Sequence, residues 1–345
     1  MIEVESLSFS YVSELTGDRV DALTGVDLSA RRGSLTLVCG SSGCGKSTLM
    51  RALTGLVPQM TPGQLEGAVR ISGRDLSDVP LTEVGHLCSS VFQNPRTQFF
   101  CDTVAEELAF CGENYGRDRE NLIESSERAA KLMGIYNLMD RKLSTLSGGQ
   151  LQKVALACAL ASGAPVLLAD EPTSNLDPDA IADVRHALEI LKEQGMTIVV
   201  VEHRLHFLRG LADQVLLMED GAITHRWSGD QFYSMSDGQR KSFGLRTLVD
   251  PGPPEAWVAS RGEAGVAVPG KEARLSCRNL GFSYGKTPVF SGFNADFYAG
   301  EITCIAGVNG VGKTTLVRVL CGLAAPASGT ITLEGQEVSC RQRRL

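Results

Sequence analysis

Three short runs in this chain are apolar at nearly every position: Leu35–Cys39, Val166–Ala169 and Thr197–Val201. Continuous apolarity over five or so residues predicts strands buried on both faces, the habit of a parallel sheet. Residues 2–12 alternate instead and predict an edge-type strand, and residues 20–39 predict further strands broken at Arg31-Arg32-Gly33. Residues 178–194 carry apolar positions at helical spacing, and the section 103–140 is helical in pattern, with Asp102-Thr103 as cap and Glu106-Glu107 in the first turn. Gly55, Pro58, Pro62 and Gly63 predict a loop, Val69–Ile71 a short strand, and Gln214–Met218, Asp220-Gly221 and Ala222–Thr224 a hairpin. Strands alternating with helices predict an α/β fold with a mostly parallel sheet and a small antiparallel layer beside it.

The pattern then restarts. Residues 250–270 hold four of the chain's thirteen prolines and no periodicity, which predicts a linker. Beyond it Leu280–Tyr284 echoes Leu7–Tyr11, and Gly300–Gly307 echoes Gly33–Gly40. The expected division is a domain over 1–245, a linker over 246–271 and the first part of a second copy over 272–345. The recorded sequence stops soon after this second copy begins, so the copy is expected to be truncated, to lack most of its parallel core strands and to be unstable as written.

Bulk properties narrow the class. A net charge of −7 lacks the basic excess of a general nucleic-acid binder. Ten scattered cysteines form no C-x-x-C pair, which disfavours a zinc knuckle or redox motif and predicts free thiols in a reducing compartment. The N-terminus has no signal-peptide pattern, and no apolar run approaches the ~20 residues of a membrane span. A soluble protein that reaches any membrane through a partner is expected.

The chemistry concentrates at Gly40-Ser41-Ser42-Gly43-Cys44-Gly45-Lys46-Ser47-Thr48, between an expected strand and an expected helix. The spacing G-x-x-x-x-G-K-S is that of a phosphate-binding loop: glycines let backbone N–H groups converge, the helix N-terminus adds partial positive charge, Lys46 reaches β/γ-phosphates, and Ser47 holds Mg²⁺. Gly307-Val308-Asn309-Gly310-Val311-Gly312-Lys313-Thr314-Thr315 repeats it, with Thr314 in the metal-holding place of Ser47. Ser147-Gly148-Gly149-Gln150 opens another helix, where small residues expose N–H groups and Ser147 caps the helix or meets a phosphate. Asp170 ends a buried strand and Glu171 follows, which directs the first to Mg²⁺ and the second to an attacking water. His203 ends the next strand and is placed to contact the γ-phosphate. Gln93 follows Ser90-Val91-Phe92 as a polar group near metal and water, and Tyr11 and Tyr284, at matching places in the two copies, are candidates to stack on adenine.

As an ordered set, the phosphate loop, Gln93, Leu146–Gln150, Leu167–Pro172, Ser174–Asp177 and His203 resemble the nucleotide-binding domain of ATP-binding-cassette proteins over about residues 1–225, and again over 272–345 for the start of a second copy. Val91–Phe100, Val104–Phe110 and Val201–Leu205 resemble the energy-coupling-factor and cobalt-type importer branch more narrowly. The resemblance implies a P-loop ATPase fold with an antiparallel β-subdomain and a helical subdomain carrying the Leu-Ser-Gly-Gly-Gln signature. It implies ATP and Mg²⁺ as ligands, Glu171 as catalytic base, His203 as switch histidine, Gln93 as the link to a membrane subunit, and Asp177 as a residue communicating across a dimer. It also implies that each ATP is sandwiched between one domain's loop and another's signature: the Lys313 loop has Ser147–Gln150 available, while the Lys46 loop needs another domain or chain. The expected function is the ATPase subunit of an importer for a vitamin or metal ion, peripheral on the cytoplasmic face of the membrane, with membrane-embedded coupling and substrate-binding partners and no nucleic acid. Two alternatives stay open at this point: a soluble tandem cassette acting on ribosomes or nucleic acid, disfavoured because residues 250–270 hold Arg261 as their one basic residue, and a truncated product that binds nucleotide without coupled hydrolysis.

Overall fold

A computed structural model describes residues 1–13, 16–248, 272–285, 287–307 and 309–338. The chain divides into two units, Met1–Val249 and Asp250–Leu345. Of the expected linker, residues 249–271 lie outside the described residues.

The first unit begins with β1 (Ile2–Val12) and β2 (Arg19–Ala30), then β3 (Leu35–Cys39) and helix α1 (Lys46–Leu53). A single irregular turn, α2 (Leu56–Gln59), interrupts the expected loop before β4 (Gly63–Ile71) and β5 (Arg74–Asp75). The strand expected over three residues runs for nine because it pairs antiparallel with β1 from Gly63 to Ile71. These strands form an antiparallel sheet in the order β2-β1-β4-β5. After the short helix α3 (Leu81–Val84) and β6 (Cys88–Val91) come α4 (Val104–Asn114), α5 (Arg119–Leu132), α6 (Gly148–Ser162), β7 (Val166–Asp170), α7 (Pro178–Glu193) and β8 (Thr197–Val201). Strands β9 (Gln214–Glu219) and β10 (Ala222–Ser228) complete a six-stranded sheet in the order β10-β9-β3-β8-β7-β6. Every neighbouring pair is parallel except β9 with β10, so the expected hairpin closes the edge of the parallel sheet.

Burial explains why these segments hold their places. Every residue of β3 and β8 is buried, as continuous apolar runs require of central parallel strands. Helix α7 starts on an Asp177 cap with Pro178 in its first turn and buries Ile181, Val184, Leu188 and Leu191 along one stripe. Thr103 caps α4 in a reciprocal pair with Glu106, and Ser147 does the same for α6 with Gln150.

The register sets up the functional edge. Val38 sits beside Val201, Asp170 beside Val201, and Val91 beside Ala169. The segments leaving β3, β6, β7 and β8 therefore emerge together at the carboxyl edge of the sheet.

The second unit is smaller. Strands β11 (Ala273–Tyr284), β12 (Thr287–Tyr298), β13 (Ser328–Leu333) and β14 (Gln336–Glu337) form an antiparallel sheet in the order β12-β11-β13-β14. Helix Lys313–Leu320 contributes Leu316 and Val319 to a core with Cys277, Leu280 and Ile331. The segment echoing β3 does not form a strand: residues 301–307 have no ladder and Ile302 is fully exposed. In the first unit that strand is flanked by β8 and β9, and no described strand of the second unit takes their place. Without a neighbour its backbone groups have no ladder to join. Among the described residues no helix is long and apolar enough to cross a membrane.

Candidate active site

The loop Gly40–Ser47 wraps the start of α1. Gly43 and Gly45 take φ of +83° and +103°, a region closed to most side chains, and a Cβ on Gly45 would lie 2.6 Å from the Ala22 carbonyl oxygen. The Lys46 ammonium is buried within the loop, where it donates to the carbonyls of Gly40 (3.0 Å) and Ser41 (2.6 Å) and lies 3.7 Å from Cys44 Sγ. The described residues of the second loop match it: Gly310 and Gly312 have φ of +82° and +103°, and Lys313 Nζ donates to Gly307 O at 2.7 Å. The same glycine and lysine spacing thus gives the same backbone angles even where residues 301–307 form no strand.

Around Lys46 opens a cleft of about 650 Å³, walled by Tyr11, Ser42-Gly43, Gly45–Thr48, Glu171, His203 and Asp220-Gly221. A second cleft of about 500 Å³ adjoins it at Ser47 and is walled by Arg51, Phe92, Gln93 and Asp170 among others. Ser47 and Asp170 both stand on the wall of this second cleft. Burial, and then the charge of neighbouring Glu171, pushes the Asp170 carboxyl above its ordinary value, against the opposing pull of Ser47 and Lys46.

Glu171 is where the strand ends converge. Its φ is +46°, uncommon for a residue with a side chain, and its backbone N–H donates to Val201 O at 2.9 Å. Gln93 Nε2 donates to Glu171 Oε2 at 2.9 Å and approaches Ser174 Oγ at 3.3 Å, while His203 Nε2 lies 3.2 Å from Glu171 Oε1. One half-buried carboxylate is therefore held from both sides.

The remaining expected residues are placed as follows. The Tyr11 hydroxyl lies 3.1 Å from Thr48 Oγ1 and its ring sits edge-on to Phe9, leaving it in the cleft wall. Tyr284 meets Phe282 in the same edge-on way and is exposed. Thr314 and Thr315 begin the helix behind the second loop, next to Lys313, and Asn309 lies within that loop. Asp177 accepts from Ala180 N at 2.9 Å as the cap of α7. Ser147, Gly148, Gly149 and Gln150 form the first turn of α6 and its cap, with Gly149 against Ala180, where a Cβ would come within 2.8 Å. This turn is not part of the wall around Lys46.

Sequence reasoning missed Glu202 and Thr173. Glu202 is 2% exposed and Thr173 is fully buried. A glutamate following a buried strand reads as a solvated strand end, and nothing local marks it as an interior carboxylate.

A family model described as ABC transporter matches residues 23–174 and 290–345. Two proteins of Treponema denticola, each described as a putative ABC transporter ATP-binding protein, are 34% and 35% identical over 99% and 100% of this chain. The chain spans 68% and 69% of their lengths. Among solved structures, cbiO1 from Clostridium perfringens, described as part of the ABC transporter complex cbiONQ, is 27% identical. That likeness covers 70% of this chain and 93% of the other, with a TM-score of 0.60. The ATP-binding cassette MJ0796, solved as a dimer in a post-hydrolysis state with ADP and Pi, is 26% identical over 66% of this chain and 98% of its own, with a TM-score of 0.56.

Proposed function

The chain belongs to the ABC transporter family of ATP-binding, ATP-hydrolysing cassettes, and on that premise we propose that it is the ATPase subunit of an energy-coupling-factor-type importer for a vitamin or metal ion. The narrower assignment is supported by the likeness to cbiO1 and by the run Val91–Phe100 with Val104–Phe110. Membrane-embedded coupling and substrate-binding proteins are its partners in this reading, and it works on the cytoplasmic face of the membrane.

In the first unit Lys46 and the loop N–H groups bind the phosphates, and Tyr11 borders the base. The Ser47 hydroxyl and Asp170 carboxyl fit a hard cation that prefers oxygen ligands. Among the described residues no cluster of three or more His, Cys, Asp or Glu could hold a metal ion, so Ser47 and Asp170 would hold Mg²⁺ together with the bound nucleotide, with Gln93 beside them. When bound, Mg²⁺ offsets charge on the phosphate oxygens. Glu171 accepts a proton from the attacking water as its oxygen approaches the γ-phosphorus, and His203 orients the water and phosphate. Gln93 relays the state of Glu171 to the cleft containing Phe92 and Asn94. The Ser147–Gln150 turn serves the phosphate of a facing cassette, where preorganised N–H groups act on developing charge. In the second unit Lys313, Thr314 and Thr315 have the roles of Lys46, Ser47 and Thr48, with Tyr284 in that of Tyr11.

The observation that carries this reading is the single Glu171 carboxylate held between Gln93 and His203 beside the phosphate loop. Glu171→Gln is expected to lower ATP turnover by at least ~100-fold, the scale of a lost general base, while ATP still binds. Normal turnover in that variant removes the role given to Glu171. Purification of the tagged chain from native membranes in mild detergent tests the importer assignment: membrane proteins are expected to co-elute, and their absence removes it.

A further inference from the structure

We propose that Glu202 is a positioning residue for ATP hydrolysis: a buried carboxylate that straps the turn carrying Glu171 to the loop carrying His203. The inference rests on the roles given above to those two residues.

Four donors converge on Glu202. Its Oε1 accepts from Thr173 N at 2.9 Å and from the Thr173 hydroxyl. Its Oε2 accepts from His203 N at 2.9 Å and Arg204 N at 3.1 Å. One oxygen thus serves the turn two residues beyond Glu171, and the other serves the backbone of His203 itself. The Glu202 N–H donates to Val38 O at 3.2 Å, which anchors the strap to the strand feeding the phosphate loop.

A buried carboxylate is costly unless donors replace its water, and four donors match the four lone-pair sites of its two oxygens. Hydrogen bonds to a charged acceptor are about twice as strong as neutral ones. The arrangement also answers a local need. Glu171 sits at φ +46°, and such a conformation persists where its surroundings over-determine it. Its turn is fixed by its own N–H to Val201 O and by Thr173 to Glu202. With both ends fixed, the 3.2 Å approach of His203 Nε2 to Glu171 Oε1 is built into the backbone.

Glutamine is the sharpest probe because it keeps the volume and turns one acceptor into an NH₂ group. Whichever way the amide faces, N–H meets N–H on one side and one half of the strap opens. In the full chain Glu202→Gln is expected to lower kcat for ATP at least tenfold, with KM and ATP affinity within twofold of wild type, because the phosphate loop is untouched. Thr173→Ser keeps the hydroxyl donor and is expected to stay within twofold of wild-type kcat, whereas Thr173→Val falls with Glu202→Gln. The double variant Glu202→Gln/Thr173→Val should lose less than the product of the single losses, since both weaken the same strap. Wild-type kcat in Glu202→Gln overturns the proposal, as does a loss of kcat and ATP affinity in equal proportion, the mark of a merely structural role. If Glu202→Gln does not fold, the Thr173 pair decides, and equal kcat in Ser and Val overturns the proposal. Glu171→Gln run alongside separates the two readings. Normal turnover there removes the role of Glu171 and this inference with it. An inactive Glu171→Gln beside fully active Glu202→Gln and Thr173→Val removes this inference alone.

Discussion

Alanine at Gly43 and at Gly45 gives a controlled pair for the physics of the phosphate loop. Both glycines have left-handed backbone, φ +83° and +103°. A Cβ on Gly43 meets nothing within 4 Å, whereas one on Gly45 meets Ala22 O at 2.6 Å, Met218 Cε at 2.9 Å and Leu23 Cδ2 at 3.3 Å. The left-handed conformation costs alanine about 1–2 kcal/mol. Lower entropy of the unfolded chain returns about 0.4–1 kcal/mol, so Gly43→Ala should destabilise by about 0.5–1 kcal/mol. Gly45→Ala carries the same backbone cost and adds overpacking against a strand carbonyl that cannot rotate away, about 1–3 kcal/mol. Its total is about 2–4 kcal/mol. The assay is urea unfolding of nucleotide-free full chain, followed by fluorescence. The protein has two tryptophans, so a Trp257→Phe background leaves Trp227, packed on Phe232 and Phe243 of the first unit, as the reporter. At a slope of about 2 kcal/mol per molar urea, the two midpoints should differ by about 0.5–1.5 M. Equal midpoints for Gly43→Ala and Gly45→Ala would refute the contact argument and leave backbone conformation as the whole cost.

Two further outcomes are expected. Ser147→Ala and Thr103→Ala each remove a reciprocal helix cap, and each should cost about 1 kcal/mol in the same urea assay; turnover should fall only for Ser147→Ala, and equal turnover would remove its phosphate-facing role. Asp237 accepts from Arg240 at 2.7 Å and from the Thr247 hydroxyl at 2.8 Å, and these bonds hold its carboxyl below the ordinary value. A lowered folded value means its contribution is complete above the ordinary carboxylate range near ~4 and is lost as pH falls through the lowered value. Asp237→Asn should therefore be less stable than wild type at neutral pH, with the gap closing in acid; a gap that does not change with pH refutes the assignment.

Some of this protein was determined by sequence alone, for a local reason. Glycine spacing, a lysine and a following helix dictate the phosphate loop within nine residues, and both copies adopt it with matching φ values. Thr103 and Ser147 were legible as helix starts because a cap acts on N–H groups two or three residues away. Continuous apolar runs marked β3, β7 and β8, since a central parallel strand has no wet face.

What the tertiary structure alone decided is long-range. The register of β6, β7 and β8 brings Gln93 and His203 onto Glu171 from distant parts of the chain, and no local pattern encodes register between strands separated in sequence. The length of β4 came from its pairing with β1. The segment 301–307 has nearly the sequence character of β3 and still forms no ladder, because a parallel strand exists only with neighbours to receive its hydrogen bonds. Glu202 is the same lesson at one residue: its charge predicts a wet strand end, and only the convergence of four donors makes it part of the interior.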